Sequence, residues 1–105
     1  MGMPNGPLAA YIVGSFDTKG EELNFIAARV RDQGVAVVTV DVSTSAAAQR
    51  GCDVSTTDVA AAHPGGAQAV FTGERGSAVG AMAQALVAFL LARVAAVGGV
   101  IGAGG

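Results

Sequence analysis

Residues 11–44 read YIVGSFDTKGEELNFIAARVRDQGVAVVTVDVST, in which apolar and polar runs alternate as in a strand, turn, helix and strand. The apolar residues 11–13 suit a buried strand, and Gly14 lets the backbone turn sharply after it. Residues 35–40 are apolar and rich in β-branched side chains, which favours a parallel strand covered on both faces. The stretch therefore predicts two neighbouring parallel strands joined by a right-handed helical crossover.

The helix between these strands has its own start and stop signals. Apolar side chains recur along one face at steps of three and four residues: Leu23, Ile26, Ala27 and Val30. Thr18 and Glu21 have the spacing of a capping box, which predicts a helix that begins near Lys19. Gly34 is well placed to end the helix in a left-handed conformation.

Polar residues crowd the turn after the first strand. Hydroxyls, a carboxylate and an ammonium lie at the positive end of the helix dipole: Ser15, Asp17, Thr18 and Lys19. As ligand groups, the hydroxyls and Lys19 would hold phosphate oxygens, and Asp17 a hydroxyl or Mg²⁺. As structural groups, Asp17 and Thr18 cap the helix and Lys19 is a solvated charge. Neither GxxxxGK[ST] nor GxGxxG is present, so both interpretations stay open.

Two further side chains and the chain end each allow two interpretations. Asp41 follows the second strand, where it is either a ribose-binding acid or a polar strand end. Arg75, between Gly73 and Gly76, either reaches a phosphate with its guanidinium or lies on a surface turn. Residues 102–105, GAGG, are either a nucleotide-cradling turn or a frayed end.

The second half of the chain predicts a further helix and a third strand. Residues 46–66 indicate either a short helix, capped by one of the polar residues 53, 55 or 56, or a long loop. Residues 78–94 predict an apolar helix capped by Thr72 or Ser77, and residues 97–101 predict a strand. We expect an α/β fold, a Rossmann-like three-layer sandwich with parallel strand order 2-1-3 and helices on both faces.

Composition excludes several classes of function. The 105 residues are 51% hydrophobic and 13% charged, which fits one small globular domain. A formal net charge of −2 with scattered Lys and Arg predicts no binding to nucleic acid or to an anionic membrane. Residues 79–101 are apolar, but Gln84, Arg93 and a glycine pair argue against a membrane helix.

Cysteine and histidine usage points to a cytoplasmic protein without a metal centre. Cys52 is the single cysteine and His63 the single histidine, which excludes an internal disulfide and any recognisable zinc site. His63 precedes Pro64 and is expected to stop a helix. No nucleophile, base and oxyanion donor occur together, so catalytic residues and enzyme class stay unknown.

Three segments together resemble a known family: YIVGSFDTKGEELNFIA, FTGERGSAVGAMAQALVAFL and GGVIGAGG. They are similar to the N-terminal part of the tobamovirus-resistance-protein-like ATP-binding domain family, whose bacterial members are largely uncharacterised. The matching motifs are a G-[ST]-x-DTK turn with a following E-L pair, and a G-[DE]-RG turn before an alanine-rich helix. They comprise Gly14, Ser15, Asp17, Thr18, Lys19, Glu22, Leu23 and residues 73–76.

The resemblance implies a Rossmann-like fold, ATP binding, self-association and a C-terminal barrel-like domain absent from this chain. It implies a nucleotide pocket formed by Gly14, Ser15, Asp17, Thr18, Lys19, Asp41, Arg75, Gly102, Gly104 and Gly105. Residues 1–10 are then a disordered start or a cloning remnant, and residues 11–105 a nucleotide-binding lobe cut before the helix that follows the third strand.

Two functions follow as expectations. The first is an ATP-binding lobe, with or without Mg²⁺, that holds phosphates at the turns after strands one and three. The second is a non-catalytic module for structure and homo-oligomer assembly, in which the polar turns serve only as helix caps.

Overall fold

The computed structural model describes residues 8–44 and 52–103. The sequence predicted a disordered or remnant start over residues 1–10, of which residues 1–7 lie outside the described residues, as do the pocket glycines Gly104 and Gly105. Ala9 and Ala10 belong to the first strand, which therefore begins before residue 11. The described part contains a three-stranded sheet and three α-helices.

The sheet is parallel throughout, with strand order β2-β1-β3. Its strands are β1 (Ala9–Gly14), β2 (Ala36–Asp41) and β3 (Val97–Ala103). The register pairs Gly14 with Asp41 on one side and with Ala103 on the other, so the three strands end together at one edge. The predicted α/β class, strand order and third strand are confirmed.

Three helices connect the strands. They are α1 (Phe16–Asp32), α2 (Thr56–Ala60) and α3 (Arg75–Leu91), and short 3₁₀ turns lie at Ala67–Ala69 and Val94–Ala96. The Ser55 hydroxyl accepts a hydrogen bond from the Asp58 N–H at 3.2 Å and caps α2. The short helix is therefore the correct alternative for the second half of residues 46–66.

The helices lie on both faces of the sheet, because alternate residues of β1 point to opposite sides. Ile12 packs with the α1 side chains Phe16, Leu23 and Ala27. The other face carries the larger cluster, formed by Tyr11, Val13, Val40, Val54, Val59, Val70, Met82, Ala85 and Phe89 with Ala9 and Ala60. This arrangement confirms the three-layer sandwich.

A short segment after residue 51 covers the outer edge of β2. Val54 bridges to Val40 in parallel register, and its carbonyl accepts from the Asp41 N–H at 3.0 Å. The Asp53 carboxylate accepts from the backbone N–H and the hydroxyl of Thr39, at 2.9 and 3.2 Å. Among the described residues, no further strand pairs with this edge of β2. The bonds to Asp53 and Val54 therefore give the edge N–H groups of Thr39 and Asp41 their acceptors.

The predicted start of α1 was wrong, although its end was right. The helix begins at Phe16 with Ser15 as N-cap, so Thr18 lies inside the first turn and no Thr18–Glu21 capping box starts it. At Lys19 the backbone leaves helical values (φ −118°, ψ 19°) before the helix continues. At the other end, Gly34 takes φ +83°, the left-handed value that its position predicted.

The predicted bounds of the last helix were also wrong. α3 begins at Arg75, with Glu74 rather than Thr72 or Ser77 as its N-cap residue, and ends at Leu91. Ser77 lies inside the first turn, where its hydroxyl donates to the Glu74 carboxylate at 3.0 Å. Arg75 therefore belongs to the helix and not to the turn.

Truncation of a core residue of α1 should destabilise the fold far more than truncation of its exposed neighbour. Leu23 is fully buried, whereas Phe25 is 66% exposed. We expect Leu23→Ala to lower the free energy of unfolding by about 2–5 kcal/mol and Phe25→Ala by less than about 1 kcal/mol. Urea denaturation followed by circular dichroism measures both; similar losses would contradict the packing described for α1.

Candidate functional site

A crevice of about 440 Å³ opens at the edge of the sheet where the strands end. Its walls come from the start of α1, the segment after β2 and one side of α3. The lining residues are Ser15, Asp17, Thr18, Val42, Ser43, Thr44, Arg75, Val79, Met82, Ala83 and Leu86. The carboxyl edge is where open α/β sheets bind ligands, at the point where the chain switches direction across the sheet.

One buried carboxylate organises the polar end of this crevice. Asp41 is 3% exposed, and its Oδ1 accepts hydrogen bonds from the Phe16 N–H at 3.1 Å and from the Ser43 N–H at 2.9 Å. The Ser43 hydroxyl also donates to this oxygen, while it accepts from the Asp17 N–H at 3.3 Å. Asp41 therefore joins the end of β2 to the start of α1.

The free N–H groups expected at the start of α1 already have partners. Phe16 and Asp17 donate to Asp41 and Ser43, and the next two N–H groups, of Thr18 and Lys19, both donate to the Ser15 carbonyl at 3.2 and 2.8 Å. An anion bound to these amides would have to displace existing bonds. The start of α1 thus contributes side chains to the crevice and not a set of open amides.

The entry into α3 is held by bonds among its own residues. Gly73 takes φ +89°, a conformation that side chains rarely allow, and directs the chain into the helix. The Glu74 N–H donates to the Thr72 hydroxyl at 3.2 Å, which lies 3.3 Å from the Ser77 hydroxyl. These contacts leave Arg75 exposed at the mouth of the crevice.

The long wall of the crevice is apolar and belongs to α3. Val79, Met82, Ala83 and Leu86 follow Arg75 at helical spacing, so they lie on one side of the helix. From Val79 to Leu86 the wall extends about 10 Å along the helix axis, and Arg75 lies about one turn before it. The crevice is therefore polar at the sheet edge and apolar along its side.

The structure brings together four of the predicted site residues: Ser15, Asp17, Thr18 and Arg75. The other described ones do not line the crevice. Lys19 is half-buried at the break in α1, and the buried Asp41 carboxylate accepts from the Phe16 N–H. Gly14 and Gly102 lie in paired strands. Of the two interpretations of Asp41, burial and three donors favour the polar strand end, which caps α1. Its role as a ribose ligand stays a prediction.

The apolar wall was missed by the sequence analysis, as were Ser43 and Thr44. The wall residues were recognised only as part of an apolar helix, because the sequence does not show which side of that helix meets the sheet edge. One signal was available: steps of three and four residues from Arg75 lead to Val79, Met82, Ala83 and Leu86.

His63 was expected to stop a helix, but α2 already ends at Ala60, and the His63 ring instead makes two hydrogen bonds beyond it. Its Nδ1 accepts from the Gly65 N–H at 2.9 Å, so the proton lies on Nε2, which donates to the Gln84 carbonyl oxygen at 3.0 Å. The ring thereby ties the end of the α2 segment to α3. Within residues 8–44 and 52–103, no three His, Cys, Asp or Glu side chains are grouped as a metal site requires.

Among the helices of the described part, none combines the length and the apolar character that a bilayer crossing needs.

The fold and crevice define a Rossmann-like α/β lobe with a candidate ligand site at the carboxyl edge of its sheet. Residues 9–105 match the N-terminal domain of the uncharacterised protein family UPF0261, and the chain belongs to this family. It is 49% identical over 96 residues to the UPF0261 protein RA0729 of Rhizobium meliloti and 47% identical over 98 residues to the UPF0261 protein mlr3387 of Mesorhizobium japonicum. No solved structure matches the chain.

Both relatives are much longer than this chain. Each alignment covers 90% of the chain but only 24% of the relative, so the chain spans about a quarter of their length. The descriptions of the family and of these two relatives mention no ligand. Membership of an uncharacterised family is confirmed, whereas the resemblance to tobamovirus-resistance proteins and ATP binding is not.

Removal of the Asp41 carboxylate should destabilise the fold. Asp41→Ala leaves two backbone N–H groups without their acceptor, at about 1–3 kcal/mol each, so we expect a loss of at least about 2 kcal/mol. Asp41→Asn keeps an acceptor oxygen, so its free energy of unfolding should fall by less than that of Asp41→Ala. Urea denaturation measures the losses.

Asp58→Ala is the matched control, since Asp58 is an exposed carboxylate in the first turn of α2. Its loss should stay below about 1 kcal/mol, the scale of a charge near a helix end. Equal losses for the two alanine variants would contradict the capping role of Asp41.

Proposed function

We propose that this chain is an adenine-nucleotide-binding lobe of a larger protein, with ATP as its ligand. The observation that carries the proposal is the crevice of about 440 Å³ at the carboxyl edge of the sheet, with Arg75 and hydroxyls at one end and an apolar wall along its side. Such volume and such a mixture of few polar groups with apolar surface suit a ligand of nucleotide size.

The phosphates of the ligand lie at the Arg75 end. The guanidinium of Arg75 is exposed and offers a planar set of donors that matches phosphate oxygens. Hydroxyls of Ser15, Thr18 and Thr44 surround the same end and suit phosphate or ribose oxygens. This assignment differs from the expectation from sequence, because the α1 amides and Lys19 take no part.

Magnesium is accommodated through Asp17. Mg²⁺ in nucleotide sites is commonly held by one or two carboxylates together with the phosphates, and Asp17 is the acidic residue among the described lining residues. In this proposal the ion enters with the nucleotide, and no metal site exists without it.

Nucleotide binding should stabilise the protein in a way that depends on Arg75. For a ligand bound only by the folded state, a concentration of one hundred times Kd adds about 2.7 kcal/mol. We expect a saturable rise in Tm with ATP and Mg²⁺ for the unaltered protein, and little or no rise for Arg75→Ala. Differential scanning fluorimetry measures both.

Lys19→Ala is the matched control, since it removes one positive charge close to the crevice without removing a lining residue. Its response to ATP should equal that of the unaltered protein. No shift with ATP in any variant would refute nucleotide binding, and loss of the shift in Lys19→Ala alone would refute the assignment of the phosphate end.

A second function is assembly with another copy or with the remainder of a longer chain. Two observations favour it: the N–H groups at the start of α1 already have hydrogen-bond acceptors, and several apolar side chains are exposed. The α1 amides are capped as a purely structural turn requires. On α3, Val87 and Leu91 are 57% and 67% exposed, and on β3 Val100 is 49% exposed. Exposed apolar surface of this kind favours association. We further propose that the protein is a cytoplasmic homo-oligomer.

Self-association through α3 should be abolished by a charge on its exposed side. We expect Val87→Glu to shift sedimentation velocity profiles towards the monomer, because a buried unpaired carboxylate opposes association. Phe25→Glu is the control, as Phe25 is 66% exposed on the opposite layer. A monomer at all concentrations of the unaltered protein would refute assembly through copies of this chain.

A further inference from the structure

The apolar wall of the crevice has no group that reads the edge of a base. Its side chains are Val79, Met82, Ala83 and Leu86, of which only the Met82 thioether has even a weak acceptor. The hydroxyls and the carboxylate of the described lining belong to the start of α1 and to the segment after β2 at the sheet edge, and the guanidinium belongs to the first residue of α3. A ligand along α3 therefore meets charge and hydrogen bonds at one end and only apolar contact along the wall.

This division sets the direction in which a phosphorylated ligand lies. Phosphates placed against the α3 wall would lose their hydration without gaining donors, which is strongly unfavourable for a charged group. Phosphates at Arg75 keep charge-assisted hydrogen bonds. The apolar part of the ligand then extends towards Leu86, and the wall of about 10 Å accommodates it.

An apolar wall discriminates weakly between flat rings that differ in polar substituents. Sites that hydrogen-bond a particular group reject an analogue without it by about 10⁴-fold or more, whereas apolar pockets separate close analogues by only about 10–200-fold. Ring area, which is nearly the same for the purine bases, decides binding at such a wall.

We propose that the crevice is a base-tolerant nucleoside phosphate site, in which Arg75 anchors the phosphates and Val79 to Leu86 hold the base by apolar contact alone. The inference rests on the proposed nucleotide binding and extends its ligand class to purine nucleotides in general. ATP and GTP are then ligands of similar affinity, and the phosphates carry the larger share of recognition.

Isothermal titration calorimetry with ATP, GTP, adenosine and inorganic tripolyphosphate, each with Mg²⁺ where phosphate is present, tests the proposal. We expect the Kd values of ATP and GTP to agree within about tenfold. Arg75→Ala should weaken both nucleotides by about 10–100-fold, the scale of a charge-assisted hydrogen bond, and leave adenosine unchanged.

A pair of serine variants tests the wall. Val79 is 52% exposed and lines the crevice, whereas Val94 is 66% exposed in the 3₁₀ turn after α3 and does not line it. Val79→Ser should weaken the binding of ATP, GTP and adenosine several-fold and leave that of tripolyphosphate unchanged, while Val94→Ser should change none of them. Because both side chains are exposed, both variants should keep the unaltered Tm.

The outcomes separate the inference from the proposed function. A difference of more than about tenfold between the Kd values of ATP and GTP overturns the base-tolerant site while nucleotide binding stands. Equal effects of Val79→Ser and Val94→Ser on nucleotide binding likewise overturn the role of the wall. Binding of neither ATP nor GTP overturns the proposed function itself and the inference with it.

Discussion

The hydrogen bonds to the Asp41 carboxylate determine the geometry of the whole carboxyl edge. A buried charge is costly unless donors surround it, and here the donors are the Phe16 N–H, the Ser43 N–H and the Ser43 hydroxyl. Because Asp41 pairs with Gly14 in the β1–β2 register, its carboxylate lies where α1 begins. The same bonds that satisfy the charge therefore fix the first turn of α1 and the segment after β2, which form the polar end of the crevice.

In the proposed nucleotide site, the contact to the phosphates therefore belongs to α3 and not to α1. In many nucleotide-binding folds the first helix offers open amides to a phosphate. In this chain an internal carboxylate already occupies that position at α1, and the following amides bond to the Ser15 carbonyl. Arg75, at the first position of α3, is the cation that faces the crevice among the described lining residues. A phosphate site built on a side chain tolerates different ligands more readily than a close-fitting cradle of backbone amides.

Local sequence patterns predicted the strands, their order and the end of α1 at Gly34, because these depend on hydrophobic periodicity and on one backbone conformation. The starts of α1 and α3 were predicted wrongly. The amide at the start of α1 is capped by Asp41, which lies 25 residues away in sequence, so no local motif contains this signal. The lining of the crevice was predicted in part for the same reason. Ser15, Asp17, Thr18 and Arg75 lie at the starts of α1 and α3, which local patterns place approximately, whereas the wall on α3 is defined only once that helix is packed.

The packing of α3 also explains why nucleotide binding and assembly both remain compatible with one apolar helix. Ala78, Met82, Ala85 and Phe89 face the core, and the crevice covers the adjacent side that begins at Val79. A helix that is apolar around most of its circumference must be covered on more than one side. The crevice lies along one of these sides, and Val87 and Leu91 are exposed outside it. The proposed assembly concerns the outer side of α3 and the proposed ligand binding its inner side, so the two proposed functions require different residues of the same helix and do not exclude each other.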